Sequence, residues 1–196
     1  MERIPLEFFA RDTLTVAREL LGKHLVRTVA DQQVTVRITE TEAYIGRMDK
    51  ACHAYGYKRT SRTETLFAQP GTVYIYLIYG MYHCLNFVTE AEGEPAAVLI
   101  RGVEPATPAD RNALAVVRFG KGYDGLSSYQ RKNFLNGPGK LCKGLSLTKE
   151  QNGLLLSGDS LYVTDPHDPP QTIKVGKRVG IDYAEEAVDF PWRFYL

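Results

Sequence analysis

Apolar and polar residues alternate with a two-residue period along several stretches of the chain, which is the pattern of β-strands. The clearest stretch covers residues 70–88 and begins with the turn signal Pro70-Gly71. In residues 73–77 both parities are β-branched, aromatic or aliphatic, so we expect a strand buried on both faces. A second strand is predicted over residues 83–88, and the short segment between them fits a hairpin turn in which Gly80 supplies a positive φ.

The tip of this predicted hairpin is apolar, although tight turns are normally polar and solvated. It would present Tyr79, Met81 and Tyr82 to water. Two interpretations are open. The tip could pack under a loop as part of the core, or the hairpin could be a rigid wedge that pushes a large side chain into a stack of bases.

The remaining elements follow from the same patterns. One helix is predicted from the cap residue Asp12 to about residue 21, another from Thr107-Pro108 to about 118, and a short one from Gly139-Lys140. Strands are predicted over residues 24–30, 34–44, 96–103, 160–164 and 172–179, with a polar turn at 31–33 and loops over 46–62 and 121–139. We expect an α+β fold: one domain over residues 1–196 with a curved, mainly antiparallel sheet, flanking helices and a protruding β-hairpin.

The composition gives only general limits. The 24 Lys and Arg against 23 Asp and Glu give a net charge of +1, so bulk charge does not indicate a nucleic-acid binder. The 3 cysteines cannot all pair and the first residues lack the apolar segment of a secretory signal, so we expect a reduced, cytoplasmic protein with free thiols. No apolar run is long enough to span a membrane.

Two carboxylates lie at the end of the second predicted strand. One parity of that strand contains Val34, Val36, Ile38, Glu40, Glu42 and Tyr44. In a regular strand both carboxylates would continue the buried face, where a carboxylate is either paired or has a raised pKa. Alternatively, the strand leaves the core by Glu40 and both acids are solvated. Arg101 follows an apolar run and is the candidate partner, because an unpaired buried guanidinium is costly.

Histidine and cysteine occur side by side twice, as Cys52-His53 and His83-Cys84. Structural zinc sites favour ligands two to four residues apart, whereas adjacent residues on a strand point to opposite faces. At most one residue of each pair could therefore bind a metal. We expect that the protein needs neither a metal nor a cofactor.

A set of sequence motifs can be recognised in order along the chain, including the two carboxylates, the hairpin and several later segments. It contains residues 40–44 (Glu-Thr-Glu-Ala-Tyr), His53, the hairpin motif at 70–86, residues 99–105, residues 137–142 (Gly-Pro-Gly-Lys-Leu-Cys), residues 178–184 and residues 192–195 (Trp-Arg-Phe-Tyr). This set of motifs resembles the alkyladenine (3-methylpurine) DNA glycosylase family over nearly the whole chain and in the same order. The resemblance implies a monofunctional enzyme that flips alkylated or deaminated purines out of duplex DNA and hydrolyses them off, leaving an abasic site.

The resemblance also implies roles for individual residues. Glu42 matches the general base, and Arg101 matches the group that helps to hold Glu42 and the attacking water. The walls of the base pocket match Tyr44, His53 and Tyr76, and Asn86 matches the residue that crowds the amino group of normal guanine. Tyr79 matches the residue that fills the vacated space in the stack, and the other expected DNA contacts are Met81, Tyr82, Thr60 and Lys140.

The family further implies a range of lesions and a partner. The lesions are of the 3-methyladenine, 7-methylguanine, hypoxanthine and ethenoadenine class, the partner is double-stranded DNA, and we expect a monomer that acts on a bacterial chromosome. The Gly-rich helix start at Lys140 is also a reasonable phosphate site by its own chemistry. The same pattern fits a helix start that is merely exposed to water. Two other functions remain open: a non-catalytic nucleic-acid binding module, and a hydrolase of free nucleosides that has the pocket without the wedge.

Overall fold

The computed structural model describes residues 2–29, 32–170 and 172–196. Its strands are β1 (Glu2–Arg3), β2 (His24–Val29), β3 (Gln32–Ile45), β4 (Val73–Ile78), β5 (Tyr82–Val88), β6 (Ala96–Pro105), β7 (Leu161–Asp165), β8 (Lys174–Gly176) and β9 (Arg193–Tyr195). Its α-helices are α1 (Thr13–Glu19), α2 (Pro108–Phe119), α3 (Ser128–Lys132) and α4 (Pro138–Gly144). The strand order is β1-β7-β2-β3-β6-β5-β4, with β9 beside β3 and β8 beside β9, and the described pairings are all antiparallel. The predicted α+β fold with a mainly antiparallel sheet is confirmed.

The helices begin where their capping residues predict. The side chain of Asp12 accepts a hydrogen bond from the backbone N–H of Thr15 at the start of α1, and that of Thr107 accepts one from Asp110 at the start of α2. α3 lies inside the segment predicted to be a loop. Its start is a capping box in which the side chains of Ser127 and Gln130 each accept a hydrogen bond from the other residue's backbone N–H. This capping pattern can be found in the sequence, but the helix that follows has only 5 residues.

Two predicted boundaries differ from the structure. Gln32 and Gln33 belong to β3 and pair with Val29 and Thr28, so they are not turn residues. Ala30 and Asp31, which were predicted to end the strand and begin the turn, lie outside the described residues. The last long strand was predicted over residues 172–179, but β8 has only 3 residues. Residues 177–180 therefore lie outside the sheet.

β3 is the middle strand of this order and pairs along both of its edges. β6 follows one edge over residues 36–45, while β2 and then β9 follow the other. The main core covers one face of this sheet and includes the fully buried rings of Phe9, Phe87 and Phe194. α1 packs there, and Thr41 donates a 2.7 Å hydrogen bond to the carbonyl of Ala17.

An irregularity in β3 decides which residues leave the core face. Two register shifts occur between Ile38 and Thr41, opposite residues 100–103 of β6. They reverse the alternation, so that Thr41 and Ala43 continue the core face and the carboxylates turn to the other side. The expectation that Glu40 and Glu42 continue the face of the preceding aliphatic residues is therefore wrong, because it assumed a regular strand.

The predicted hairpin is formed by β4 and β5, paired from Val73–Phe87 to Ile78–Tyr82. Burial on both faces holds for residues 73–75 and is lost by Leu77, which is 39% exposed. α4 supports the hairpin from the side: a Cβ atom on Gly139 would lie 2.8–2.9 Å from the side chain of Tyr82. No helix in the described part of the chain is long and apolar enough to cross a membrane.

Gly139→Ala should lower the free energy of unfolding by about 1–3 kcal/mol, because the added methyl group must displace the Tyr82 ring. Gly125→Ala is the matched control, since the nearest atom to its added Cβ lies 3.8 Å away and its backbone needs no positive φ. We expect the control to stay within about 0.5 kcal/mol of the wild type in urea denaturation. Equal stability of the two variants would contradict the packing described here.

Candidate active site

A cavity of about 640 Å³ opens on the face of β3–β6 opposite the main core. Alternation in β4 sends Val73 and Ile75 to the core and Tyr74 and Tyr76 to the cavity. Loop residues around His53, the start of α4 and residues 179–183 complete its wall. Aromatic and polar side chains lie among aliphatic ones in the lining, which includes Tyr44, His53, Tyr76, Asn86, Arg101 and Tyr183.

Glu42 lies behind the wall of this cavity and is not among the residues that line it, and its side chain is 0% exposed. Tyr44 donates a 2.8 Å hydrogen bond to Oε2, and the backbone N–H of Val179 donates one of 2.8 Å to Oε1. The Nε of Arg101 lies 3.6 Å from Oε1. All three partners line the cavity, so the carboxylate lies directly behind residues that face the open space.

Burial raises the pKa of Glu42 above its usual value. The charge of Arg101 and the hydrogen bonds from Tyr44 and Val179 act in the opposite direction, and the neighbouring charge of Glu40 adds to the rise. A carboxylate with a raised pKa accepts protons more readily than a solvated one, which suits a general base.

Glu40 binds the cations of the site more directly than Glu42 does. Arg101 donates a 2.9 Å hydrogen bond from Nε to Oε1 of Glu40, and Nε of Arg193 lies 2.7 Å from the same oxygen. The side chain of Glu40 is 24% exposed. The alternative that both acids are solvated is therefore wrong: Glu40 orients Arg101, while Glu42 receives its charge at longer range.

The aromatic walls meet at His53, whose ring stands edge-on to Tyr76 with centroids 4.5 Å apart. Its Nδ1 lies 3.1 Å from the hydroxyl of Tyr74, and Nη2 of Arg62 lies 3.4 Å from its Nε2. Arginine can only donate, so Nε2 is the acceptor and Nδ1 carries the proton. Burial, and to a lesser degree Arg62, lower the pKa of His53 to about 4, so the imidazole is neutral near pH 7.

Asn86 is held in one orientation by the backbone. Its Nδ2 donates to the carbonyls of Tyr74 at 3.1 Å and Cys84 at 3.2 Å, and the residue is 4% exposed. Both amide protons are thus engaged, which leaves Oδ1 as the polar atom available to the cavity.

The hairpin tip is exposed, with Tyr79 79% and Met81 60% accessible. The interpretation of the tip as core is therefore wrong for Tyr79 and Met81, whereas Tyr82, which was also expected to face water, is half-buried against Gly139. Gly80 has φ +67° as predicted, but Tyr79 also has a positive φ of +54°. A non-glycine residue in this region carries a cost of about 1–2 kcal/mol, and such strain occurs mainly where a side chain has a function.

The two other predicted DNA contacts lie outside the cavity lining. Thr60 is exposed, and its hydroxyl lies 3.2 Å from that of Thr63. Lys140 is half-buried, and its Nζ donates to the side-chain oxygens of Asn133 at 2.8 Å and Asn136 at 3.1 Å. The ammonium group of Lys140 therefore connects α4 to the loop before it.

The cysteines are free and buried, as the sequence predicted for thiols that cannot all pair. Burial raises the pKa of Cys52 to about 12, so its thiol is protonated near pH 7. Among the described residues no group of three or more His, Cys, Asp or Glu side chains could hold a metal ion.

Sequence reasoning missed the side chains of Tyr74, Arg62 and Tyr183 and the backbone N–H of Val179 at this site. Tyr74 could have been predicted, because it shares the parity of Tyr76 on β4 and so faces the same side of the sheet. Arg62 and Tyr183 lie in irregular segments, where no periodicity predicts which way a side chain points. Tyr183 is 66% exposed at the cavity wall and donates a 3.3 Å hydrogen bond to the carbonyl of Ala51.

Comparison with known proteins identifies the class to which this fold and site belong. Residues 7–196 match the model of the methylpurine-DNA glycosylase (MPG) family. The chain therefore belongs to that family, and the predicted resemblance and the prediction of a DNA glycosylase are confirmed.

Individual relatives agree with the family match. A protein of Clostridium perfringens (strain SM101 / Type A) is 53% identical over 99% of this chain and 95% of its own length. One of Desulfitobacterium hafniense (strain Y51) is 52% identical over 100% and 96%, and one of Clostridioides difficile (strain 630) is 44% identical over 97% and 98%. Each bears the name "Putative 3-methyladenine DNA glycosylase".

His53 should remain neutral down to about pH 4 in the folded protein, against about 6.5 in the unfolded chain. Between these values only the unfolded chain binds the proton, so lowering the pH through this window should destabilise the fold. Arg62→Gln should raise the pKa of His53 only partway, because burial is the larger cause.

An NMR titration of the imidazole measures this pKa. Arg59→Gln is the matched control: Arg59 lies in the same loop but binds Glu64 at 2.6 Å. A normal His53 pKa in the wild type, or equal shifts in both variants, would contradict the assignment.

Proposed function

We propose that this protein is a monofunctional DNA glycosylase that hydrolyses damaged purines from duplex DNA and leaves an abasic site. The observation that carries the proposal is the fully buried Glu42 beside an aromatic cavity of about 640 Å³. Relatives named for 3-methyladenine support alkylated purines as substrates, and hypoxanthine and ethenoadenine are included in the proposed class. The lesion would be flipped out of the duplex, because its glycosidic bond cannot be reached inside the stack.

The cavity has the size and chemistry expected for a purine. Its volume is within the range of small-ligand sites. Tyr44, Tyr76 and His53 offer ring faces and edges, which stack on any base and attract one that alkylation has made cationic. Asn86 presents its oxygen to the base, and we propose that it crowds the exocyclic amine of guanine.

The bond would break through a positively charged, oxocarbenium-like sugar. The electron pair of the glycosidic bond leaves with the base, and water adds to C1′. Glu42 accepts the proton of that water and stabilises the positive sugar, while Arg101 keeps Glu42 and the water in place. An alkylated base that already carries a positive charge needs no acid to leave, whereas a neutral base such as hypoxanthine must also gain a proton when the bond breaks.

The hairpin tip would act on the DNA and not on the bond. Tyr79 fills the space vacated in the stack, and Met81, Tyr82, Thr60 and Lys140 contact the DNA around it. The exposure of Tyr79 supports this role, because it leaves the ring accessible to a duplex. We propose that the protein works as a monomer.

The decisive experiment uses duplexes that carry one hypoxanthine, ethenoadenine or 3-methyladenine. The protein is incubated with each duplex, and alkali then cleaves the strand at abasic sites. Cleavage at the lesion supports the proposal. Binding without abasic sites would instead indicate a non-catalytic module, and release of base from free nucleosides would indicate a nucleoside hydrolase.

Glu42→Gln should abolish excision while the affinity for lesion DNA is retained, because the amide keeps the shape but cannot accept the proton of water. Glu40→Gln should be much milder, since Glu40 acts through Arg101. Single-turnover excision and DNA binding are measured on both variants. If the Glu40 change abolished excision and the Glu42 change did not, the assignment of the base would be wrong.

Tyr79→Ala should cost roughly one to two orders of magnitude in the flipping equilibrium, because stacking of one aromatic ring is worth about 1–3 kcal/mol. The loss should shrink opposite a mismatch or in single-stranded DNA, where less stacking is broken. Tyr79→Phe should be nearly silent, because a wedge needs no hydroxyl.

Thermal melting and single-turnover excision are measured on the same preparations of these variants. The melting temperature should not fall, since the Tyr79 side chain is exposed. Tyr129→Ala is the matched control, because Tyr129 is 76% exposed on α3 and does not line the cavity. An unstable Tyr79 variant, or an equal loss on single strands, would exclude the wedge.

A further inference from the structure

The N–H group that Val179 donates to Glu42 comes from a segment with little secondary structure. β8 ends at Gly176, and Lys177 pairs with Asp189 at the surface, where both side chains are more than half exposed. Val179 itself is 45% exposed, and Gly180 follows with a φ of +77°. The position of this N–H group is therefore not set by packing of the Val179 side chain or by hydrogen bonds between strands.

The adjacent Arg178 is anchored at several points. Its guanidinium is 0% exposed and forms a bidentate pair with Asp49, with N–O distances of 2.5 and 2.8 Å. It also donates to the carbonyl of Ala43 at 2.8 Å and to that of Ala187 at 3.2 Å. One side chain thus ties residues 177–180 to the end of β3, the following loop and the C-terminal segment.

Arg178 also contacts the second hydrogen-bond donor of Glu42. Its Cζ lies 4.7 Å from the ring centre of Tyr44 and 5.1 Å from that of Trp192. Asp49 is fixed in turn by the backbone N–H groups of Ala51 at 3.0 Å and Ile45 at 3.3 Å. The Arg178–Asp49 pair is therefore next to both groups that donate to Glu42. Val179 directly follows Arg178 in the chain, and the ring of Tyr44 contacts the Arg178 guanidinium.

This buried pair is not explained by stability alone. Buried ion pairs are often no more stabilising than apolar residues of similar volume, because both charges lose their hydration. The Nε of Arg178 is buried and has no hydrogen-bond partner among the described residues. An unsatisfied buried donor is unfavourable, so the guanidinium is retained here at a cost.

We propose that Arg178 is a positioning residue, which holds the Val179 N–H and the Tyr44 hydroxyl against the two oxygens of Glu42. The inference rests on the proposed function, in which Glu42 is the general base. Arg178 does not line the cavity and has no contact with the substrate in this role.

The charge environment of Glu42 shows what losing Arg178 should do. The titratable groups around the carboxylate are Tyr44 and Glu40 on β3, Tyr76 on β4, Cys84 on β5 and Arg101 on β6. None of them is removed when the Arg178–Asp49 pair is replaced by neutral residues. The carboxylate would lose a donor that favours its charged form, so its pKa should rise further.

The test compares the wild type with the double variant Asp49→Asn/Arg178→Met, which removes both charges together and so leaves no unpaired buried ion. Single-turnover excision of hypoxanthine from a duplex is measured between pH 5 and pH 9, as is the half-saturating DNA concentration. One substrate serves every variant, so its own titration is common to all. The acidic limb of the rate should move up by about one pH unit, with half-saturation changed by less than about twofold.

Arg27→Met is the matched control. Arg27 is another buried arginine, 7% exposed, which donates to the carbonyls of Leu145 and Ser160 on a different part of the sheet. Its loss should lower stability and leave the pH profile unmoved. Arg178→Lys is measured alongside and decides the question if the double variant does not fold, because lysine keeps the charge but has three N–H donors on one atom and cannot make all four hydrogen bonds of Arg178.

The two levels of the proposal fail differently. A folded Arg178 variant with an unshifted acidic limb, measured against an active wild type, would overturn the positioning role and leave the proposed function intact. A shift of the same size in Arg27→Met would also overturn it. A wild type that releases no base would overturn the proposed function and this inference with it.

Discussion

The site depends on keeping a buried carboxylate ionisable. Burial raises the pKa of Glu42, and two hydrogen bonds and a guanidinium at 3.6 Å oppose the rise. A closer ion pair would favour the charged form more strongly and make a weaker base. Arg101 instead donates its hydrogen bond to Glu40. The guanidinium is therefore held near Glu42 without forming a close ion pair with the Glu42 carboxylate.

The arrangement follows from the way β3 is built. A regular strand would send Glu40 and Glu42 into the core with the preceding aliphatic residues, where no described partner could compensate their charge. The register shifts between Ile38 and Thr41 turn them to the opposite face. There β6 supplies Arg101 and β9 supplies Arg193, because both strands pair with β3 at this point.

The hairpin combines a local signal with strain. Its apolar alternation and Gly80 were sufficient to predict two strands and a turn, which the structure confirms. The left-handed backbone of Tyr79 was not predictable, because a tyrosine at positive φ is unfavourable and only the supported turn imposes it. α4 gives that support by packing Gly139 against Tyr82.

The sequence by itself determined the fold class, the helix starts at Asp12 and Thr107, and the hairpin. These depend on periodicity, capping and turn chemistry, which act over a few residues. Only the tertiary structure decided which face Glu42 occupies, that Arg101 bonds Glu40, and that the N–H group of Val179 reaches the Glu42 carboxylate from 137 positions along the chain. A register shift changes every side chain beyond it, and a contact between distant segments leaves no periodic trace in either of them.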